Sequence, residues 1–169
     1  MLTPSQLSDR VIAMLNGAKA KYRLIQHAPE SRCIEVSKLR GHSPRLAIKA
    51  ILVWVKMSNA TGFHALTLLP GDSTINLSAL QTELKAKSVS MAAPANVRVL
   101  LESEPGGVSP FSFNPDVLKI IIDPALLTGQ DVYFSAGKTD ESVSMPTEEF
   151  LRVSRERGAQ ILSFCNLPE

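Results

Sequence analysis

The stretch LAIKAILVWVK, residues 46–56, places Lys49 inside an apolar run that reads as a buried strand. A lysine at the start of a strand can carry its ammonium out to the rim. Where the strand lines a cavity, the same ammonium attracts a phosphate or polarises a carbonyl. Lys56 closes the run before a polar turn and falls on the opposite face of a regular strand, so it reads as solvated. The second candidate is PGGVSP, residues 105–110. Its two glycines open backbone conformations closed to other residues and let a ligand approach closely. Such a loop can offer N–H groups to a carbonyl or oxyanion without a reactive side chain. The same letters also make an ordinary turn. Ser109 has no histidine or other base beside it, which argues against a nucleophile. The third candidate is Ser135-Ala136-Gly137, a small-residue turn able to form a pocket wall.

Other chemistries find little support in the sequence. It contains no G-x-x-x-x-G-K-[ST], no G-x-G-x-x-G and no G-x-S-x-G. His27, His42 and His64 fall in different elements without ligand spacing, so no metal or other cofactor is expected. His27 ends a strand pattern and can stand near a site; His64 reads as a sheet-face residue. Cys33 and Cys165 match no zinc spacing and read as reduced thiols. A net charge of +2 excludes a histone-like field, so a nucleic-acid contact needs a local patch. No apolar stretch approaches the ~20 residues of a spanning helix. The opening MLTPSQLSDR lacks the basic start and apolar middle of a signal peptide, so a cytoplasmic protein without membrane contact is expected.

The elements that must position these residues are well punctuated. Thr3, Pro4 and Gln6 form a capping box ahead of Leu7, Val11, Met14 and Leu15, which predicts a helix ending near Gly17. KYRLIQH alternates as a strand, and PESRCIEVSKLRG carries a short helical pattern ending at Gly41. IKAILVWVKM and FHALTLL, separated by SNATG, predict a hairpin. Helices follow at NLSALQTELKAK, PANVRVLLES and TEEFLRVSRERG. Strands follow at SVSMA, VLKIIID, VYFSAG, SVSM and AQILSF. The regular alternation of a doubly wound sheet is missing. The expected fold is a single α+β domain over residues 1–169: a mixed sheet curled toward a barrel, with helices packed outside.

Lys49 in AIKAILV, then GGVSP, then SAGK before a short strand and helix resemble, in this order, the YbaK/ProX-type aminoacyl-tRNA deacylases. This is the superfamily of the editing domain inserted in bacterial prolyl-tRNA synthetase. The resemblance runs from about Leu7 to Phe164, and RCIEVSKLRG, PFSFNP and AGKTDESV are closer to its YeaK-like, free-standing branch. It implies a trans-acting hydrolase that cleaves the ester joining a wrong amino acid to tRNA. By matching position, Lys49 corresponds to the family's functionally important lysine. Gly106, Gly107, Val108, Ser109 and Pro110 correspond to its G-x-x-x-P loop, with Gly106 in the catalytic part and the other four against the substrate. Ser135, Ala136 and Gly137 correspond to the turn flanking the amino-acid pocket. Several members carry an acidic residue where Ser142 stands here, with Asp140 and Glu141 adjacent. Ser142 and His27 complete the expected substrate-binding set. The implied partner is aminoacyl-tRNA, with an aminoacyl-tRNA synthetase as a second candidate and no DNA. Lys19, Lys21, Arg23, Lys38, Arg40 and Arg45 are the candidate cations for the acceptor stem. A non-catalytic module sensing an aminoacyl ester or amino acid is the alternative, separated from the enzyme by turnover.

Overall fold

A computed structural model describes residues 2–103 and 107–169. The first helix, α1 (Pro4–Gly17), starts on the expected capping box: Thr3 and Gln6 exchange side-chain and backbone hydrogen bonds. Leu7, Val11 and Leu15 recur every four residues and are fully buried along one face. The chain continues through β1 (Arg23–Gln26), α2 (Cys33–Arg40), β2 (Ile48–Lys56) and β3 (Gly62–Pro70). It then runs through β4 (Thr74–Ile75), α3 (Leu77–Leu84), β5 (Ser88–Met91) and α4 (Pro94–Leu101). The second half holds β6 (Leu118–Ile122), β7 (Asp131–Ser135), β8 (Glu141–Pro146), α5 (Thr147–Glu156), β9 (Gln160–Ile161) and β10 (Cys165–Asn166).

The hairpin expected around SNATG forms, with β2 and β3 antiparallel from Ile48↔Pro70 to Lys56↔Gly62. It is the middle of a five-stranded mixed sheet of order β5-β2-β3-β6-β9, in which β3–β6 and β6–β9 are parallel. The sheet is covered on both faces. Leu52, Leu66, Leu68, Ile120 and Ile122 face a core shared with α1, α5 and the second sheet. Val53, Val55, Ala65, Leu69 and Ile121 face a smaller core closed by Leu80 of α3 and Phe164. Burial on both sides explains why β2 and β3 read as near-continuous apolar runs.

The fold is a mixed α+β arrangement, but the strands do not close a barrel. They divide among the five-stranded sheet, a three-stranded sheet of order β1-β8-β7 and a β4–β10 pair. β6 and β7, though consecutive, belong to different sheets because the 3-10 turn Pro124–Leu127 redirects the chain between them. An isolated parallel bridge, Ala47↔Tyr133, links the residue before β2 to β7 of the other sheet. Among the described residues no helix is long and apolar enough to cross a membrane.

Asp123, only 3 % exposed, knots these layers. Its backbone N–H donates to the Leu68 carbonyl, one carboxylate oxygen accepts from Ala125 N–H, and the other accepts from Phe164 and Cys165 N–H. Asp123→Ala leaves these N–H groups unpaired, and we expect a loss of roughly 2–4 kcal/mol in urea unfolding. Asp123→Asn, which keeps one acceptor oxygen, loses less.

Candidate functional site

Lys49 stands second in β2, where the strand emerges from the core. Its Nζ donates to the Ser73 carbonyl at 2.5 Å. That carbonyl is brought within reach by the turn after β3. Gly71 N–H donates to Ala47 O, and Ser73 N–H and Oγ both donate to Pro70 O. A Cβ at Gly71 would meet Cys33 Sγ at 2.6 Å and the Pro44 carbonyl at 2.7 Å, so only glycine lets the turn close.

Beside Lys49 lies a cavity of about 180 Å³. Arg40, Lys49, Ser31, Cys33 and Ser135 line it together with Val108 of the glycine-bearing loop. Val36, Ile48 and Ala50 supply its apolar surface. The strand lysine, the loop and the small-residue turn, far apart in the chain, therefore share one hollow. The loop is anchored at its C-terminal end, where Phe111 inserts between Phe134 and Phe150, with ring centroids 5.7 and 5.6 Å away. Gly107 is buried, and neither its N–H nor that of Val108 has an acceptor among the described residues. Gly106, expected in the catalytic part, lies outside the described residues.

The remaining expected residues separate. Ser109 and Pro110 are buried, but Ser109 lines a different cavity, between α1, α4 and residues 109–118. Its Oγ accepts from Phe111 N–H, a turn-forming role. Ser135 reaches the Lys49 cavity, whereas Ala136 packs into the larger core. Gly137 has φ +118°, and a Cβ there would meet the Pro4 carbonyl at 2.7 Å, so it seats the start of α1. Ser142 is fully buried behind the cavity wall, paired in register with Ser135. His27 donates from Nδ1 to Ala28 O at 2.8 Å, which leaves Nε2 to accept from Ser142 Oγ at 2.7 Å. Asp140 is exposed, and the Glu141 carboxylate turns to Gln26 and Lys138. Neither acid lines the cavity.

Arg40 departs from expectation. It is not a surface cation: it folds inward from the end of α2, with Nε donating to Ser142 Oγ at 2.8 Å and Nη2 to Ser135 Oγ at 3.4 Å. Burial pulls its guanidinium down to about 10, still charged at neutral pH. Of the other expected acceptor-stem cations, Lys38 pairs with Glu35 and Arg45 with Asp72, while Lys19, Lys21 and Arg23 stay exposed. Cys33 was not expected at the site either. Burial pushes its thiol up more than Arg40 and Lys49 draw it down, so the sulfur is protonated at neutral pH and is no ready nucleophile.

With this geometry in view, the chain can be compared with known proteins. Residues 27–153 match the model of the aminoacyl-tRNA editing domain. The chain belongs to this family. The match takes in Lys49, the described part of the loop, Ser135 and Ser142. The chain is 34% identical over 156 residues to the multifunctional Ser/Thr-tRNA deacylase ProXp-y of Escherichia coli K12, covering 92% of each chain. The crystal structure of the hypothetical protein APE2540 shares its fold with a TM-score of 0.80 at 22% identity, over 93% of this chain and 99% of that one. A structure described as a proposed trans-editing enzyme for prolyl-tRNA synthetase does so at 0.76 and 20%, over 98% and 99%.

α2 is clamped beyond Arg40 by His42, whose ring stacks on Tyr133 at 3.7 Å and donates from Nδ1 to Ser43 O. Its Nε2 is buried and has no hydrogen-bond partner among the described residues, and burial lowers its pKa. The folded state thus favours the neutral ring. This stabilisation is complete above about pH 6.5 and is lost as the pH falls from there toward the folded-state value. Urea midpoints measured from pH 7.5 to 5.5 are expected to drop with acidification. In His42→Phe, which keeps a stacking ring, the drop is expected to be shallower; burial lowers His64 in the same direction, so some slope remains.

Proposed function

We propose that this chain is a trans-acting aminoacyl-tRNA deacylase, hydrolysing the ester that joins a wrongly attached small amino acid to tRNA. The observation that carries the reading is one hollow sized for a small aminoacyl group and lined by both Lys49 and Val108, beside Gly107 and Val108 N–H groups that have no acceptor among the described residues. An aminoacyl ester is already activated, so its hydrolysis needs a held water, a stabilised oxyanion and a proton acceptor rather than a strong nucleophile. The Gly107 and Val108 amides receive the ester oxygen as it gains charge, and Lys49 orients the reacting end. The free ribose hydroxyl beside the ester helps to activate the water. Ser142 and His27 stiffen the wall behind Ser135. Membership of the editing family and the likeness to a Ser/Thr-tRNA deacylase support serine and threonine as the first amino acids to test. The acting unit is the whole of residues 1–169 as one cytoplasmic editing domain, its two larger sheets curling toward a barrel. It takes aminoacyl-tRNA as a synthetase releases it.

Because one methylene discriminates only about 10–200-fold, contacts with tRNA outside the pocket add to selectivity. Lys49→Ala is expected to lower kcat/KM on seryl- and threonyl-tRNA by roughly 10²–10³ with an unchanged melting temperature. Wild-type turnover in that variant would overturn the assignment, and tRNA binding without any turnover by the native protein would overturn the enzyme reading. Replacing exposed Lys19, Lys21 and Arg23 together with alanine is expected to flatten the dependence of log K for tRNA on log salt by about one for each phosphate no longer neutralised.

A further inference from the structure

We propose that Arg40 is the anion-binding residue of the Lys49 cavity and takes the 5′-phosphate of the aminoacylated terminal nucleotide. This rests on the deacylase reading above and adds to it a residue with a distinct task. Arg40 closes α2, and its neighbours Lys38 and Leu39 are exposed while its own side chain turns inward to line the cavity. Two contacts pin the guanidinium: Nε to fully buried Ser142 and Nη2 to Ser135, residues paired across β7 and β8. A guanidinium has five N–H donors, and the other three find no acceptor among the described residues. The fork is held in place but not used up.

Its charge is not used up either. Among the described residues no carboxylate lies within ion-pair distance of Arg40. The acids around the site are engaged elsewhere: Glu35 with Lys38, Asp72 with Arg45, and Glu141 with Lys138. The last carbonyls of α2 offset part of the positive charge, as they do for any cation at a helix C-terminus. A half-buried cation without a counter-ion is otherwise costly, and Lys49 sets a second one on the same wall. Such a cavity selects an anion. A planar fork matches two phosphate oxygens at once, whereas the Lys49 ammonium, with one N–H on Ser73 O, is a point charge without that fork. The two cations also repel the substrate's α-ammonium. They thereby orient the ligand, with phosphate toward Arg40 and the amino group away from it.

The test compares two small esters, 2′(3′)-O-seryl-AMP and 2′(3′)-O-seryl-adenosine, which differ only in the phosphate, on wild-type, Arg40→Gln and Arg40→Lys proteins. The wild type is expected to prefer the phosphorylated ester. Arg40→Gln is expected to lose roughly 10–100-fold in kcat/KM on seryl-AMP, mainly through KM, and clearly less on seryl-adenosine, where only its contacts to Ser142 and Ser135 are lost. Arg40→Lys keeps the charge without the fork and recovers part of the preference; it carries the test alone should R40Q not fold. Equal losses on both esters would assign Arg40 to support of Ser142 and overturn the proposal, as would no loss on either. Competition by free serine that is present in wild type and lost in R40Q would assign Arg40 to a product carboxylate and also overturn it. The deacylase reading fails separately, if wild-type protein hydrolyses neither ester nor seryl-tRNA.

Discussion

The site depends on one hydrogen bond, from the Lys49 ammonium to the Ser73 carbonyl. A lysine at the rim of a strand has four rotatable carbons and every reason to wander into water. Here it is captured by a backbone oxygen whose position is set by a glycine turn packed against Cys33, Pro44 and Ala47. The same turn lies against the segment that leads from α2 into β2. That turn, rather than the lysine, registers the end of the hairpin against the segment following the helix that carries Arg40, and Lys49 is held by it. The cavity between them is a consequence of that registration.

Local signals in the sequence report local structure well. The Thr3–Gln6 capping box and the turn between β2 and β3 are complete within a few residues, and both form as read. Long-range pairing is not legible in the same way. β1 pairs with β8, joining residues 23–26 to 141–144, and no turn chemistry announces it. β6 and β7 look like neighbours across PALLTGQ and yet enter different sheets. Phe111, in a stretch too rich in glycine and proline to read as an element, is the anchor that holds the loop against the core.

The site was half visible for the same reason. Lys49 stands out because a cation interrupts an apolar run. Arg40 does not stand out, since an arginine among other cations at a helix end is usually solvated. Only contacts made in the folded chain, Arg40 with Ser135 and Ser142 and His42 stacked on Tyr133, turn it inward. Gly137 shows the converse: a glycine that reads as a pocket wall is required by the start of α1 instead.

The Asp123 knot bears on how the molecule is made. The acceptors for Phe164 and Cys165 belong to a carboxylate that the ribosome delivers some forty residues earlier. Until residues 160–166 emerge, the carboxylate must stay hydrated, the parallel β6–β9 pairing is missing, and the smaller core lacks Phe164. Acquisition of the native state is thereby deferred until residues 160–166 have been made, and up to that point the nascent chain elongates with this face of the central sheet still open.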